Sequence, residues 1–219
     1  MSAIGLLMML WLPASLYAAG AAIVMNTSGI VSAQRPDGSV RALSKNSPVE
    51  VGETISTEKG SYARFKFTDG GELTLQPDTK VTINQYGFDE AKPDEDNFVF
   101  SLVKGGLRSV TGLVGKRGNR DAYKLNTATA TIGIRGTDYR AAFCSNNCGK
   151  ISNGLYLNVV SGIINASNNG GSLDYSAGSY GHIPDVNTPP VILPAPPKVP
   201  NLGDDGDDGE DKGGCINAG

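Results

Sequence analysis

The chain has 219 residues, of which 39% are hydrophobic and 19% are charged, and its formal net charge is −3. This length suits one domain of ordinary size with additional segments. Because the last 19 residues hold six acids and one lysine, the rest of the chain is nearly neutral, and it lacks the concentrated basic surface that nucleic-acid binding requires.

The N-terminal segment has the pattern of an export signal. Residues 4–16 are almost wholly apolar, and small residues follow at 18–22. A short apolar core that ends in small residues predicts a cleavable signal peptide over residues 1–22, with the mature chain starting near Ala22 or Ile23. We therefore expect a periplasmic or secreted protein of the Gram-negative envelope without stable membrane insertion. A retained membrane anchor is the alternative.

Alternating apolar and polar residues dominate from about residue 28 onward, and this pattern predicts strands. One run places Phe65 and Phe67 before Asp69-Gly70-Gly71 and Leu73 and Leu75 after it, which predicts a hairpin. Similar runs contain Gly105-Gly106 and Gly162, where we expect comparable turns. The fold class is therefore all-β: a compact antiparallel β-sandwich or short β-roll of many short strands, with the signal as its only helix.

Two segments of the chain resemble each other faintly. Residues 28–40 (SGIVSAQRPDGSV) and 161–173 (SGIINASNNGGSL) share Ser, Gly, Ile and Ala at matching positions. Each predicts a strand, a turn and a returning strand, so two similar hairpins would frame the domain from its ends. Chance similarity between Gly/Ser-rich hairpins is the alternative.

Two cysteines bracket a short turn. Cys144 and Cys148 flank Ser-Asn-Asn, and in an exported protein such a turn can be closed by a disulfide. A zinc site is the alternative, but the other available ligands are one histidine, His182, and one distant cysteine, Cys215. We predict a disulfide and no metal site.

The composition changes after residue 183. Residues 184–200 are rich in proline and are predicted to form an extended linker, and residues 201–219 are predicted to form a disordered acidic tail. The tail resembles a fragment of a calcium-binding loop, but it lacks the glutamate that would complete the loop. The linker and tail follow a domain predicted over residues 23–183.

Residues 127–139, TATATIGIRGTDY, are the densest local motif. A phosphate-binding loop would lead into a helix, whereas here an alternating strand pattern follows. We instead predict a structural corner or bulge, in which glycine relieves backbone strain and the Arg or Asp side chain bonds exposed backbone groups or pairs with the other. The residues of this predicted motif are Gly133, Arg135, Gly136, Thr137 and Asp138.

The sequence offers no recognisable catalytic centre. A Ser-His-Asp site would have to use His182, and no nucleophile motif accompanies it. A carboxylate pair such as Glu72 and Asp78 could in principle serve as the two catalytic acids of a glycoside hydrolase, but most β proteins contain such pairs. We predict a protein that is not an enzyme and needs no cofactor.

Three ordered motifs resemble the FecR domain family. They are the Arg-Gly-Thr motif within residues 127–139, the strand-rich segment 51–83 and the segment 100–112, FSLVKGGLRSVTG. The resemblance covers roughly residues 28–145, with an appended hairpin region to 183. It implies an all-β extracytoplasmic domain that binds or relays rather than reacts.

The resemblance leaves three functions to compare. The first is an exported module that binds an envelope or surface protein or helps to assemble a surface structure. The second is binding to cell-wall glycan, for which Tyr156, Tyr175 and Tyr180 are candidate contacts because aromatic rings stack on sugars. The third, membrane-anchored regulation of a sigma factor, requires that the predicted signal stays uncleaved.

Overall fold

The computed structural model describes residues 20–119 and 121–202. The predicted signal peptide and acidic tail, with Cys215, therefore lie almost wholly outside the described residues. Within the described residues, the regular structure consists of fifteen strands and one short 3-10 helix, Pro93–Glu95. The strands are β1 Ala22–Ser28, β2 Val31–Gln34, β3 Val40–Ala42, β4 Pro48–Val49, β5 Thr54–Thr57, β6 Tyr62–Phe67, β7 Glu72–Leu75, β8 Lys80–Gly87, β9 Asn97–Val110, β10 Tyr123–Asn126, β11 Thr131–Cys144, β12 Gly154–Asn168, β13 Gly171–Ser176, β14 Tyr180–Ile183 and β15 Val191–Leu193.

All strands join one continuous sheet that folds into two layers, because β9, β11 and β12 each bend and pair on both sides of the bend. Layer one runs β4–β1–β6–β7–β9–β11–β12–β14–β15 and uses the second halves of β9 and β11 and the first half of β12. Layer two runs β3–β2–β5–β8–β9–β10–β11–β12–β13 and uses the other halves. The all-β prediction is confirmed.

The sheet is not purely antiparallel. The strands β9 and β10 run parallel, with Tyr123 beside Phe98 and Asn126 beside Ser101. A parallel partner needs a crossover connection. Residues 111–119 and 121–122 belong to that connection, which returns the chain from the end of β9 to its beginning.

Glycines occupy the bends where the sequence pattern led us to expect turns. Gly105 and Gly162 lie inside continuous strands rather than in hairpin loops, so those two predictions were wrong. Gly162 has a φ of +82°, and a Cβ atom there would lie 2.6 Å from the carbonyl oxygen of Gly136 in the neighbouring bend. The close stacking of two bends requires glycine. The hairpin at residues 69–71 is confirmed.

The two similar hairpins also form. Strands β2 and β3 pair at one end of layer two, and β12 and β13 pair at the other. The prediction that two similar hairpins frame the fold is therefore confirmed for this layer.

One hydrophobic core lies between the layers. The ring of Phe67 in layer one is 4.5 Å from that of Phe98 in layer two, and Tyr123 stacks on Phe98 at 4.8 Å. The Tyr123 and Ser109 hydroxyls lie 2.6 Å apart, so the buried phenol retains a hydrogen bond. Burial raises the pKa of Tyr123 above its ordinary range.

A smaller apolar cluster covers part of the outer face of layer one. We call residues 197–202 the C-terminal strap, because Val199 and Leu202 of this segment are buried against Ala142 and Tyr156. The Asn201 side chain donates a hydrogen bond to the Pro77 carbonyl at 2.9 Å. Residues 197–200 of the predicted extended linker and residues 201–202 of the predicted tail therefore pack on the domain, because the apolar side chains of Val199 and Leu202 cover part of the outer face of the sheet.

Candidate functional site

The Arg-Gly-Thr motif forms a bulge inside β11 rather than a corner between two strands. Pairing with β12 shifts register between Arg135 and Asp138, and Gly136 has a φ of +64°. Gly133 lies before the bulge in ordinary strand geometry, paired with Lys124 and Asn165. At the bulge β11 exchanges one neighbour, β10, for another, β9.

Thr137 fixes the bulge to its surroundings. Its side-chain hydroxyl donates to the Ile163 carbonyl at 2.8 Å, and its backbone N–H donates to the hydroxyl of Thr111 at 3.0 Å. Thr137 is buried, so these bonds satisfy groups that water does not reach.

The two charged residues of the motif point to different places. Asp138 accepts two hydrogen bonds from Arg108, at 3.1 and 2.9 Å. Arg135 is exposed and lines a cleft. The ion pair between Arg135 and Asp138 that the sequence allowed therefore does not form, because the two side chains lie on different sides of the bulge.

The loop that faces the bulge is held by a buried carboxylate, Asp69. The Asp69 carboxylate accepts hydrogen bonds from the backbone N–H groups of Gly71, at 3.0 Å, and Val114, at 3.1 Å. The Asp69 carbonyl accepts another from Leu113 at 3.1 Å. The β6–β7 hairpin thereby positions the loop that carries Lys116 and Arg117.

Between this loop and the bulge lies a basic cleft of about 420 Å³. Its lining consists of Gly115, Lys116, Arg117, Gly118, Arg135 and Gly136. Arg117 is anchored, because it forms an ion pair with the buried Asp96 at 3.1 Å and lies over the ring of Phe88. Within residues 20–119 and 121–202, the side chains of Lys116 and Arg135 make no hydrogen bond or ion pair, so their charges are available in the cleft.

The outer face of layer two carries a row of uncharged polar side chains. Strand register aligns one residue from each of eight neighbouring strands. We call this set the polar row: Gln34, Thr54, Thr82, Ser101, Asn126, Thr131, Ser167 and Ser172. At about 4.8 Å per strand the polar row extends for roughly 30 Å.

The outer face of layer one is chemically different. Register aligns Ile23, Lys66, Glu72, Val110, Asp138 and Ser161 in one row, and Asn26, Arg64, Thr74, Arg108, Arg140 and Asn158 in the next. We call these two rows the charged face. Arg64 and Glu72 form an ion pair there, whereas Ile23 and Val110 leave 50% and 37% of their surface exposed.

The structure joins Cys144 and Cys148 by a disulfide, as the sequence predicts. Cys144 is buried in the apolar cluster beneath the C-terminal strap, and Cys148 packs at its border. The disulfide therefore closes the β11–β12 connection beside the strap.

The three tyrosines considered as glycan contacts do not form an exposed platform. Tyr175 is completely buried, and its hydroxyl donates to the Val191 carbonyl at 3.0 Å. Tyr156 is buried beneath the strap and stacks on His182, with ring centres 4.3 Å apart. Tyr180 alone is partly exposed, on β14. Alternation in the sequence does not distinguish a face left open from a face covered by a distant segment.

His182 takes part in packing. Its Nε2 atom lies 3.0 Å from the Asn153 carbonyl. The two carboxylates considered for glycoside hydrolysis are engaged in separate ion pairs, Glu72 with Arg64 and Asp78 with Lys104. In the part of the chain that the structure describes, no cluster of three potential metal ligands occurs, and no helix is long and apolar enough to cross a membrane.

The fold and its faces define an all-β domain with two chemically distinct outer faces and a basic cleft at the bend between them. The chain belongs to the FecR protein family, whose model matches residues 53–165. The match includes the cleft and the bulge, and it ends before β13, β14, β15 and the strap.

Among solved structures the chain is similar to two crystal structures of a candidate anti-sigma factor from Parabacteroides distasonis ATCC 8503. Identity is 11% and 10%, and the TM-score is 0.48 in each case. The alignments cover 68% of this chain and 60% of that protein, so this chain spans less than two thirds of its length. No curated protein matches the chain.

Proposed function

We propose that this protein is an exported, non-enzymatic envelope protein whose FecR domain binds another envelope or surface protein. The observation that carries the proposal is the family match over residues 53–165 together with the two-layered all-β body that contains them. The apolar segment at residues 4–16 supports the export step, since it has the pattern of a signal peptide.

The charged face is the surface that fits a protein partner best. It combines exposed aliphatic groups, Ile23 and Val110, with the exposed cations Lys66 and Arg64. Protein interfaces commonly combine an apolar centre with arginine and a polar rim. A strand-built face also holds these groups on a rigid frame, which lowers the entropy lost on binding.

The boundaries of the binding unit follow from packing. Because the strap covers Ala142 and Tyr156, the folded body extends to Leu202 rather than ending at Ile183. At the other end Ala21 and Ala22 are buried, so the body begins before Ile23. A binding experiment should therefore use residues 20–202 or a longer chain.

Affinity capture from an envelope extract of the source bacterium tests the proposal. Immobilised protein with residues 20–219 should retain a specific protein, and the chain that ends at Leu202 should retain the same one in equal amount. Retention of no protein above a bare-matrix control would contradict the proposal. If only the chain that includes residues 203–219 retained the protein, the binding site would lie outside the FecR domain, and this result would also contradict the proposal.

A further inference from the structure

The polar row and the basic cleft are parts of one surface. Along β11 the outward positions are Thr131, Gly133 and Arg135, whereas Ile132 and Ile134 between them are buried. Thr131 belongs to the polar row and Arg135 lines the cleft. Alternate residues of a strand lie about 7 Å apart, so the cleft opens within roughly 15 Å of the polar row.

We propose that this surface binds an acidic polysaccharide, with a carboxylate of the polymer in the cleft lined by Lys116 and Arg135 and its neutral hydroxyls along the polar row. The proposal goes beyond protein binding and concerns the outer face of layer two. It does not use the tyrosines, which lie elsewhere.

The cleft has the chemistry of a carboxylate site. Lys116 and Arg135 supply two cations, and a guanidinium suits the planar, two-oxygen geometry of a carboxylate. Arg117 and three glycines line the rest of the cleft, and at the glycines an anion can approach the backbone closely. Gly136 has a φ of +64°, a backbone conformation that favours glycine, and it lies beside the Lys116 side chain.

The polar row has the chemistry of a hydroxyl-binding surface. Its side chains are hydroxyls and amides, which both donate and accept hydrogen bonds. Several of them bond one another: the Thr54 and Thr82 hydroxyls lie 2.8 Å apart, and Thr131 donates to Asn126 at 3.1 Å. These contacts fix side-chain orientation, and each hydroxyl or amide keeps further hydrogen-bonding capacity for a ligand.

Two carboxylates near this surface, Asp174 and Asp96, affect where an anionic polymer can bind. Asp174 lies on the outer face of β13, paired in register with Asn165, to which it is hydrogen bonded. Asp96 is buried behind Arg117. Because the whole chain has a formal charge of −3, general attraction does not draw a polyanion to it. Binding of an acidic polymer would therefore require a local site.

Binding of the purified protein to polygalacturonate, measured by titration calorimetry, tests the proposal. Dextran provides a neutral polysaccharide and polyglutamate an acidic polymer without sugar hydroxyls. We expect polygalacturonate to bind most tightly, with an affinity that falls as salt rises because the cleft is open to solvent. Arg135→Gln and Lys116→Gln should each weaken binding about tenfold, and Thr131→Val about threefold, in line with the loss of one charged or one neutral hydrogen bond.

Lys45→Gln is the matched control, because Lys45 is an exposed lysine between β3 and β4 and its loss changes the net charge equally. Circular dichroism should show that all four variants fold. The proposal would be overturned if Lys45→Gln lost as much affinity as Arg135→Gln and Lys116→Gln. It would also be overturned if polyglutamate or dextran bound as tightly as polygalacturonate, or if polygalacturonate did not bind. None of these outcomes bears on protein capture through the charged face, so the two proposals fail separately.

Discussion

Thr111 and Thr137 connect the end of β9 to the bulge of β11 through three hydrogen bonds. The Thr111 hydroxyl donates to the Thr137 carbonyl at 2.7 Å and accepts from the Thr137 N–H at 3.0 Å, while the Thr111 N–H donates to the same carbonyl at 3.0 Å. Both residues are buried. This connection holds the cleft loop against the Arg-Gly-Thr motif.

Thr111→Val should destabilise the protein by about 1–3 kcal/mol, because it leaves the buried N–H of Thr137 without an acceptor. Urea unfolding measures this change. Thr27→Val, at a partly exposed position of β1, is the matched control and should have little effect. Equal midpoints for the two variants would show that the connection does not stabilise the bend.

A chain that begins at Ile23 should be less stable than one that begins at Gly20 by roughly 1–3 kcal/mol. Ala21 and Ala22 are buried, and Ala22 pairs with Val49 and Phe67. Each lost methyl group costs about 0.8 kcal/mol before the lost pairing is counted. Thermal unfolding of the two chains gives the comparison.

The same burial leads us to expect that signal cleavage occurs before Ala21, upstream of the site predicted from the sequence. The mass of the exported protein measures the cleavage position directly. An exported chain that begins at Ile23 and unfolds at the same temperature as the longer chain would contradict this expectation.

Gly106→Val should displace the C-terminal strap. A Cβ atom at position 106 would lie 2.6 Å from the Asn201 Cβ atom and would overlap the Asn201 carbonyl. Limited proteolysis should therefore cut within residues 194–202 faster in this variant. Gly133→Val is the control, because the nearest atom to a Cβ there is 4.0 Å away. Equal cleavage rates would show that the strap is not seated on Gly106.

Stability should fall in alkaline solution, partly through Tyr175. Burial raises the pKa of Tyr175 to about 12, against 10.0 for an ordinary tyrosine. A pKa that is raised in the folded state contributes stability that is complete below pH 10 and is lost as the pH rises toward 12. Tyr175→Phe removes this contribution, so its free energy of unfolding should change less between pH 9 and pH 11 than that of the wild type. An identical change in both proteins would contradict the assignment.

Local sequence patterns predicted the structural features that depend on residues close together in the chain. Alternation identified most strands, Asp69-Gly70-Gly71 identified a hairpin, and the spacing of Cys144 and Cys148 identified the disulfide. In each case the residues that decide the structure lie within a few positions of one another.

Features that depend on distant pairing could not be predicted in the same way. Gly105 and Gly162 have the composition of turns, but long-range partners on both sides keep their strands continuous. The polar row exists only through the register of eight strands. No sequence pattern singled out Lys116 and Arg117, and only the fold brings their loop to face Arg135.

Charge reversal on the charged face tests whether a protein partner binds there. The amount of envelope protein retained by Lys66→Glu should be compared with that retained by the wild type and by Lys150→Glu, which reverses an exposed lysine in the disulfide-closed connection. We expect Lys66→Glu to lose most of the retained partner and Lys150→Glu to keep it. Equal retention by all three proteins would contradict the assignment of partner binding to the charged face.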